Sequence, residues 1–333
     1  MYITPQEYLE IIRKEYLQDF IRYGGTAVKF IVPTEEVDHK GLKQQLCSVS
    51  ESVGYLFATI DAAQTGVHMI DHIFHEVARQ VEWDDLAFSF VSSILSANGF
   101  KIPSQNEFNI RKLAELNELD ETFLRVDLKR LLEKNLLHDY QMCHEFRNAM
   151  RWLCLAQLDQ SDVYPVPCDV IKSWLRGELR LVSEIKPALI FQKISRHNAR
   201  HMLSSLSHWL HITGKGGLIL ALDISRCLIH RPKTKDLNDD SRYYTNASIL
   251  DVYEVLRQFI DTTDDMEFCF IAIIVTPPFL HLEDIHRGIE SYPALKMRIW
   301  DEVRDRYRIN PFSSLIRLSP CPNIRGESQK EIA

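Results

Sequence analysis

Two apolar segments of the sequence end in polar residues that could bind a metal ion and a phosphate. The segment GGLILALD ends at Asp223, and the segment CFIAIIVT ends at Thr276. Both resemble strands buried in a parallel sheet, and the ligands of such sheets bind beyond the carboxyl ends of the strands. A carboxylate at that place can position Mg²⁺, and a polar side chain on a neighbouring strand can contact the terminal phosphate of a nucleotide. Asp223 and Thr276 are the candidates for these two positions.

Three histidines, His68, His72 and His75, occur at helical spacing on a helix predicted from residue 68 to residue 81. Two histidines four residues apart on a helix can hold a metal ion. The apolar residues between them, and the absence of the HExxH order, favour a surface or half-buried helix face instead. The three histidines are kept as metal candidates, although we expect no metal.

A basic segment late in the chain contains Arg287 and Arg298, with further arginines up to Arg308 and aromatic residues among them. An arginine of this segment could complete the nucleotide site of a neighbouring subunit, or it could bind DNA phosphates. The alternative is a solvated helix face on which the arginines pair with nearby acidic residues.

The middle of the chain, from about residue 109 to residue 160, has helical periodicity and no strand signal. Turn residues at 117–120 predict a helix-turn-helix. Its second helix would run from residue 121 to residue 132. The cations of this second helix are the candidates for a contact with nucleic acid, and they are Arg125, Lys129 and Arg130. Acidic residues on the same helix favour an ordinary helical insertion over a DNA reader.

Strand-like and helix-like segments alternate on both sides of this helical middle. Four strands are predicted, at residues 27–32, 55–60, 217–222 and 267–275. The alternation is typical of an α/β fold in which helices flank a parallel sheet. Four regions are predicted: a first part of the α/β domain at 1–105, a helical insertion at 106–190, a second part of the α/β domain at 191–318, and a flexible tail at 319–333.

The composition limits the class of protein. With a net charge of −7, the chain cannot bind DNA through its overall charge, so any contact with DNA must come from a local patch. The seven cysteines include no CxxC pair, so neither a disulfide framework nor a zinc ribbon is expected. Because the pattern contains no signal peptide and no membrane-spanning segment, we expect a soluble, cytoplasmic protein. No serine or cysteine lies in the motif of a nucleophilic enzyme.

Six phrases of the sequence occur in the order that one family shows. They are GGTAVKFIV, WLRGE, SRHNAR, GKGGLILALD, TPPF and RGIESYPALKMRI, and they are spread over residues 24–299. On these phrases the sequence resembles the ATP-binding proteins of bacteriophage-exclusion (BREX) systems, a family allied to the origin-recognition-like branch of AAA+ ATPases. The resemblance implies a P-loop NTPase-like, AAA+-like sheet and a role in bacterial antiphage defence.

The phosphate loop that the resemblance implies is missing from the sequence. Residues 33–41 read PTEEVDHKG, with no glycine before the last position to let backbone amides converge on a phosphate. Lys40 is a candidate for a phosphate-binding lysine, but no serine or threonine follows it to reach Mg²⁺. Pro33, His39 and Lys40 are therefore interpreted as the remains of the loop.

These departures predict a subunit that does not hydrolyse ATP. Ile224 follows Asp223, where a water-orienting glutamate would be expected. No cofactor is expected to be consumed, although ATP with Mg²⁺ could bind. The resemblance implies other protein subunits of a defence complex as partners, including an intact ATPase; DNA could be a further partner, and a membrane is not expected. Three alternatives stay open: an active ATPase with an atypical phosphate loop, a DNA-binding regulator that uses the helical middle, and an α/β enzyme of another kind.

Overall fold

A five-stranded parallel sheet organises much of the computed structural model, which describes residues 2–158, 166–229, 241–281, 287–300 and 310–320. The strands lie in the order β2-β3-β4-β1-β5. Their bounds are β1 Thr26–Pro33, β2 Leu56–Asp61, β3 Leu218–Asp223, β4 Cys269–Ile274 and β5 Leu315–Leu318. The predicted α/β fold with a parallel sheet is confirmed, and the arrangement is consistent with a P-loop NTPase-like fold.

Burial explains why the central strands read as apolar runs in the sequence. Every residue of β1, β3 and β4 is buried, as expected for strands that are covered on both faces. The edge strands β2 and β5 mix buried residues with more exposed ones. The sequence pattern does not predict β5, because four residues of mixed polarity give no strand signal. This strand is defined by its parallel pairing with β1, which begins with Phe30 opposite Leu315.

Two cross-strand hydrogen bonds show that three neighbouring strands end side by side. The Ile224 N–H donates to the carbonyl oxygen of Ile274 at 3.0 Å, just beyond β3. The Val275 N–H donates to the carbonyl oxygen of Ile31 at 3.0 Å, just beyond β4. The residues that follow β1, β3 and β4 therefore lie together at one edge, the carboxyl edge of the sheet.

Helices form most of the remaining described chain. The α-helices are α1 Pro5–Ile11, α2 His39–Ser52, α3 Ile70–Arg79, α4 Trp83–Ala97, α5 Ile110–Asn117, α6 Glu121–Leu137, α7 His144–Leu158, α8 Cys168–Leu175, α9 Ala199–Ile212, α10 Asn246–Asp261, α11 Pro278–His281 and α12 Pro293–Ile299. A π-helix, Ile12–Phe20, continues directly from α1. Short 3₁₀ turns lie at Gln105–Glu107, Val182–Glu184, Lys186–Ala188, Ser225–Leu228, Thr263–Asp265 and Ile289–Ser291. In the described ranges, no helix combines the length and the apolar character that crossing a bilayer requires.

The helical middle predicted from the sequence is confirmed, because α5, α6, α7 and α8 follow one another there. Two predicted helices differ from the structure at their ends. The second helix of the predicted helix-turn-helix continues to Leu137, five residues beyond the expected residue 132. The predicted helix at 68–81 is α3, which begins at Ile70, so that His68 precedes the helix.

The chain packs as two units. The first consists of the described residues of Met1–His68, Ile219–Asp264 and Cys269–Ala333, and the second consists of those of Met69–Leu218 and Asp265–Phe268. Packing units and sequence domains are different divisions, so the domain boundaries expected at residues 105 and 190 stay a prediction. Most of the predicted tail, residues 321–333, lies outside the described residues.

Within the first unit, helices cover both faces of the sheet. On one face, Tyr8 of α1 and Ile12 of the π-helix belong to a buried cluster that includes Phe270 of β4. On the other face, the ring of Phe279 stacks on that of Phe30, with 6.1 Å between the ring centroids. The strands that carry the carboxyl edge are therefore held rigidly from both sides.

Candidate functional site at the carboxyl edge of the sheet

An ion pair between Lys43 and Asp223 lies at the carboxyl edge of the sheet. Asp223 is the last residue of β3 and is 8% exposed, and Lys43 lies one turn into α2. The Lys43 Nζ donates to Asp223 Oδ2 at 2.8 Å. The other carboxylate oxygen, Oδ1, accepts the Ser225 N–H at 3.0 Å. Both oxygens of the Asp223 carboxylate are thus bound by groups of this chain.

The partners of Asp223 determine its ionisation. Burial alone raises the pKa of this carboxyl, but the hydrogen bonds from Lys43 and Ser225 oppose burial and leave the pKa below its ordinary value. The carboxylate is therefore charged at neutral pH, and the ammonium group of Lys43 compensates its charge.

A second carboxylate, that of Asp38, caps the amino end of α2. Its Oδ1 accepts the Lys40 N–H at 3.0 Å. Its Oδ2 lies close to Gly41, because a β-carbon built on that glycine would be only 2.7 Å from this oxygen. The amino end of a helix attracts anions through its free N–H groups and its dipole. In this chain Asp38 supplies that anion.

The residues interpreted as the remains of a phosphate loop lie around this helix start. Pro33 is buried at the end of β1, His39 is the half-buried first residue of α2, and Lys40 is exposed. The lysine that reaches Asp223 is Lys43, three residues later than the lysine that the sequence indicated.

Two threonine hydroxyls complete the carboxyl edge. Thr276 follows β4, the strand between β1 and β3, and it is half-buried. Thr34 follows β1, and its buried hydroxyl has no hydrogen-bond partner among the residues that the structure describes. Asp223 and Thr276 thus lie at the ends of neighbouring strands, where the sequence placed them. Their roles towards magnesium and phosphate stay predictions.

Arg287 is held by the backbone of its own chain. It is 5% exposed, and its Nη1 donates to the carbonyl oxygens of Cys227 (2.9 Å) and Ile229 (3.1 Å). Its Nη2 donates to the carbonyl oxygen of Tyr244 at 3.0 Å. These contacts make Arg287 an architectural residue in this structure, and its action on a partner's nucleotide stays a prediction.

Arg298 lies in α12 and pairs with α10. Its Nη2 donates to Asp261 Oδ2 at 3.0 Å, its Nε donates to the other oxygen of the same carboxylate, and its Nη1 donates to the carbonyl oxygen of Ala294 at 2.7 Å. The side chain is about one-third exposed. This is the helix-face ion pairing that was the alternative to a trans-acting arginine. Residues 301–309, with the other arginines of the basic segment, lie outside the described residues.

The three histidines do not form a metal site within the described ranges, where no three His, Cys, Asp or Glu side chains converge suitably. His68 precedes α3 and packs edge-on against Tyr244, whereas His72 is exposed. The Nδ1 of His75 lies 3.0 Å from the carbonyl oxygen of Leu175, which can only accept, so this nitrogen carries the hydrogen. Burial lowers the pKa of His75, and the hydrogen bond to Leu175 opposes that shift.

The three candidate cations for DNA lie on α6 but differ in their surroundings. Arg125 donates to Glu121 at 2.9 Å on the same helix, whereas Lys129 and Arg130 are exposed. The same surface carries Phe123, whose side chain is 76% exposed. The candidate DNA surface therefore mixes cations with an ion pair and an apolar side chain.

Comparison with known proteins decides the family. The family model described as "BREX system ATP-binding protein BrxC/D" matches residues 112–323, which is more than half of the chain. The chain belongs to this family. No curated protein and no solved structure matches it.

The family model matches only part of the carboxyl edge of this BREX ATP-binding protein. It includes Asp223 and Thr276, but it begins after β1, α2 and β2. The loop at residues 33–41 and Lys43 therefore lie outside the matched residues.

The residues at the carboxyl edge do not fit the triphosphate that the BREX family description implies. The carboxylates of Glu35, Glu36 and Asp38 would stand against the phosphates. Asp38 already caps the amino end of α2, and Lys43 is already paired with Asp223. The amino end of α2 and the Lys43 ammonium group are thus used within the chain, whereas Lys40 is exposed.

Two residues of the WLRGE phrase have an architectural part in this BREX protein. Trp174 is 1% exposed, and its Nε1 donates to the carbonyl oxygen of Gln192 at 3.0 Å. Gly177 has a φ of +75° and lies against the ring of His75, where a β-carbon would be 2.6 Å from Cδ2. Gly177 of this phrase thus allows a close contact between α8 and α3.

Neither Lys43 nor the N-cap role of Asp38 was predicted from the sequence of this BREX protein. Lys43 lies one residue after Leu42 and three before Leu46, both buried, so helical spacing places it beside the sheet-facing stripe of α2. Asp38 is of the residue type that prefers the N-cap position, two residues before Lys40. Both signals are present in the sequence. Neither belongs to the phosphate-loop motif, which is defined by its glycines and by a lysine followed by serine or threonine.

Proposed function

We propose that this chain is a pseudo-ATPase subunit of a BREX antiphage defence complex, which has the sheet of an ATPase but does not hydrolyse ATP. The observation that carries the proposal is that the charged groups of the site already bind other groups of the same chain. Lys43 neutralises Asp223 at 2.8 Å, and Asp38 caps the helix whose amino end would otherwise receive a phosphate.

Magnesium and nucleotide would have to displace these contacts. Mg²⁺ would compete with the Lys43 ammonium for Asp223, and the released lysine would have to find a phosphate as its new partner. That phosphate would also face the acidic residues Glu35 and Glu36. Because like charges close together in a partly buried site repel strongly, the bound state is disfavoured electrostatically.

The proposed role of the subunit is that of a scaffold or regulator for its partners. Its rigid sheet and helices would present surfaces to other subunits of the defence complex, including an intact ATPase. Arg298, about one-third exposed on α12, is the better placed of the two candidate arginines for reaching such a partner, because Arg287 is buried.

Calorimetric titration of the purified chain with ATP and Mg²⁺, from micromolar to millimolar nucleotide, tests the proposal. We expect no binding heat and no rise in melting temperature. The matched variants are Asp38→Ala, which frees the amino end of α2, and Lys43→Ala, which removes the cation. If any nucleotide affinity emerges, it should appear in Asp38→Ala rather than in Lys43→Ala.

Clear binding to the unmodified chain would contradict the internal blocking of the site on which the proposal rests. If that binding came with ATP turnover that Asp223→Ala abolishes, the chain would be an active ATPase with an atypical phosphate loop. Lys43 would then bind phosphate in the loaded state, and Lys43→Ala would lose nucleotide affinity.

A further inference from the structure

A closed loop at residues 180–193, here called the Ω-loop, lies between α8 and α9 in the second packing unit. Its two ends are joined, because the Lys193 Nζ donates to the carbonyl oxygen of Arg180 at 2.9 Å. Two 3₁₀ turns, Val182–Glu184 and Lys186–Ala188, lie between these ends. Surface loops of this length whose ends are close together are frequently functional.

The inner side of the Ω-loop is anchored to the helices on which it lies. Three of its side chains are fully buried, and they are Ile185, Ala188 and Ile190. The buried amide of Asn148, in α7, donates to the carbonyl oxygen of Leu189 at 3.1 Å. The Nε1 of Trp174, in α8, donates to the carbonyl oxygen of Gln192 at 3.0 Å. The loop is therefore held by apolar packing and by hydrogen bonds to two helices.

The outer side of the Ω-loop exposes large apolar side chains. Leu181 is 62% exposed, Leu189 is 50% exposed and Phe191 is 63% exposed. Single apolar side chains on a surface need no explanation, because much of any protein surface is apolar. Three on one anchored loop are typical of a surface that binds another protein or a membrane.

Leu189 has a backbone conformation that is unfavourable for leucine. Its φ is +61°, in the left-handed region, where a β-carbon lies too close to the following carbonyl oxygen. Its N–H donates to the carbonyl oxygen of Lys186 at 2.9 Å, and its own carbonyl oxygen accepts from Asn148, so both backbone groups hold this conformation. Strained residues of this kind cluster at functional sites. The strain is a second feature of the Ω-loop, independent of its exposed apolar side chains.

The charge of the Ω-loop is positive and is not compensated within the chain. Arg180 and Lys186 are exposed, and neither forms an ion pair with another residue that the structure describes. Lys193 donates to a backbone carbonyl oxygen and not to a carboxylate. Glu184 is the single acidic residue of the loop against these three cations, although the net charge of the chain is −7. Complementary charge therefore favours an acidic partner.

We propose that the Ω-loop binds an acidic, amphipathic segment of a partner protein. Large apolar side chains of the segment pack on Leu181, Leu189 and Phe191. Its aspartate or glutamate side chains pair with Arg180 and Lys186. Because the loop is anchored before the partner binds, little conformational entropy is lost on this side of the interface. The proposal is independent of whether the carboxyl edge binds nucleotide.

A protein segment fits the Ω-loop better than a nucleic acid or a bilayer. Phosphates could pair with the cations and a base could stack on Phe191, but Leu181 and Leu189 would remain in water. A DNA duplex or an anionic bilayer also faces a large area of the chain, so it meets the net charge of −7. A short segment meets mainly the positive charge of the loop, because more distant charges are screened by salt.

Selection of a phage-displayed library of random dodecapeptides against the whole chain tests the proposal. We expect enriched sequences that combine acidic residues with large apolar residues. A selected synthetic peptide with a fluorescent label then gives the dissociation constant by anisotropy. Its affinity should fall as the salt concentration rises, because exposed ion pairs contribute to binding.

Matched variants locate the binding of the selected peptide. Phe191→Ala should weaken the peptide about tenfold, as expected for the loss of an aromatic anchor. Lys186→Ala should weaken it about threefold, as expected for an exposed ion pair. Phe123→Ala and Lys134→Ala remove an exposed phenylalanine and an exposed lysine of α6, and neither should change the affinity. Since all four side chains are exposed, each variant should keep the melting temperature of the unmodified chain.

Charge reversal separates specific pairing from general stickiness. Arg180→Glu combined with Lys186→Glu should lose the selected peptide, and it should gain affinity for a peptide in which lysine replaces each acidic residue. The proposal is overturned if the enriched peptides are not acidic or if Phe191→Ala binds them equally well. It is also overturned if duplex DNA or vesicles containing phosphatidylserine bind through Phe191 while no peptide does.

Discussion

Lys43 and Asp223 show how one side chain can determine the electrostatics of an acidic site. A carboxylate that is 8% exposed is costly to ionise unless a cation or hydrogen-bond donors compensate it. Lys43 and the Ser225 N–H supply that compensation, and they lower the pKa of Asp223 against the effect of burial. Asp223 is the candidate magnesium ligand, and both of its carboxylate oxygens are thereby bound within the chain.

Replacing Lys43 by alanine should destabilise the chain at neutral pH. We expect a loss of about 2 kcal/mol in the free energy of unfolding, because a largely buried carboxylate loses its cation. Lys40→Ala is the matched control on the same helix, and as an exposed substitution it should cost less than about 0.5 kcal/mol. Urea unfolding of the two variants measures the difference.

The loss in Lys43→Ala should also depend on pH. A carboxyl whose pKa is lowered in the folded state stabilises the fold above its ordinary pKa of about 4, and this contribution disappears as the pH falls below that value. The difference between the unmodified chain and Lys43→Ala should therefore be full at pH 7 and shrink below about pH 4. A difference that is constant across this range would mean that Lys43 acts through packing and not through charge.

At the scale of elements, the contact between α8 and α3 explains the glycine of the WLRGE phrase and the position of His75. Gly177 ends the turn after α8 with φ at +75°, and the ring of His75 lies where a side chain would begin. The Nδ1–H of His75 donates to the carbonyl oxygen of Leu175, the last residue of α8. His75 therefore joins two helices, which accounts for its burial without a metal ion.

Gly177→Ala should destabilise this junction of helices. We expect about 3 kcal/mol, since a positive φ costs an alanine about 1 kcal/mol and the clash with His75 adds to it. Gly99→Ala is the matched control, because Gly99 has a φ of +81° with nothing within 4 Å of its β-carbon. Thermal or urea unfolding of both variants measures the two costs, and equal losses would show that the His75 contact is unimportant.

The net charge of −7 opposes the binding of the whole molecule to nucleic acid. Its average field repels DNA, so a contact can only form where cations are concentrated. In α6, Lys129 and Arg130 are exposed, but Arg125 is paired with Glu121, and Phe123 interrupts the surface. We therefore expect the α6 surface to be at most a weak DNA site.

DNA binding should accordingly be weak and depend on α6. With a labelled 30-base-pair duplex, we expect measurable anisotropy change only at low salt, and a loss of it between about 50 and 200 mM salt. Lys129→Ala combined with Arg130→Ala should remove most of the signal, whereas Lys14→Ala, an exposed lysine on the π-helix, should not. Tight binding that survives the α6 substitutions would place the DNA site elsewhere.

The sequence by itself determined the parts of this protein that are local. Strand-length apolar runs ending at Asp223 and Thr276 predicted where the sheet would present polar residues, because a strand buried on both faces requires apolar side chains throughout. Helical periodicity predicted the helical middle, and six short phrases indicated the BREX family that the family model then matched. Each of these signals is read from neighbours in the chain.

Only the tertiary structure decided which residues meet. Lys43 and Asp223 are 180 residues apart, and their contact follows from the strand order, which places β4 between β1 and β3. The short strand β5 exists through its pairing with β1, which begins with Phe30 opposite Leu315. Long-range pairing depends on how elements pack, and periodicity along the sequence carries no record of that packing.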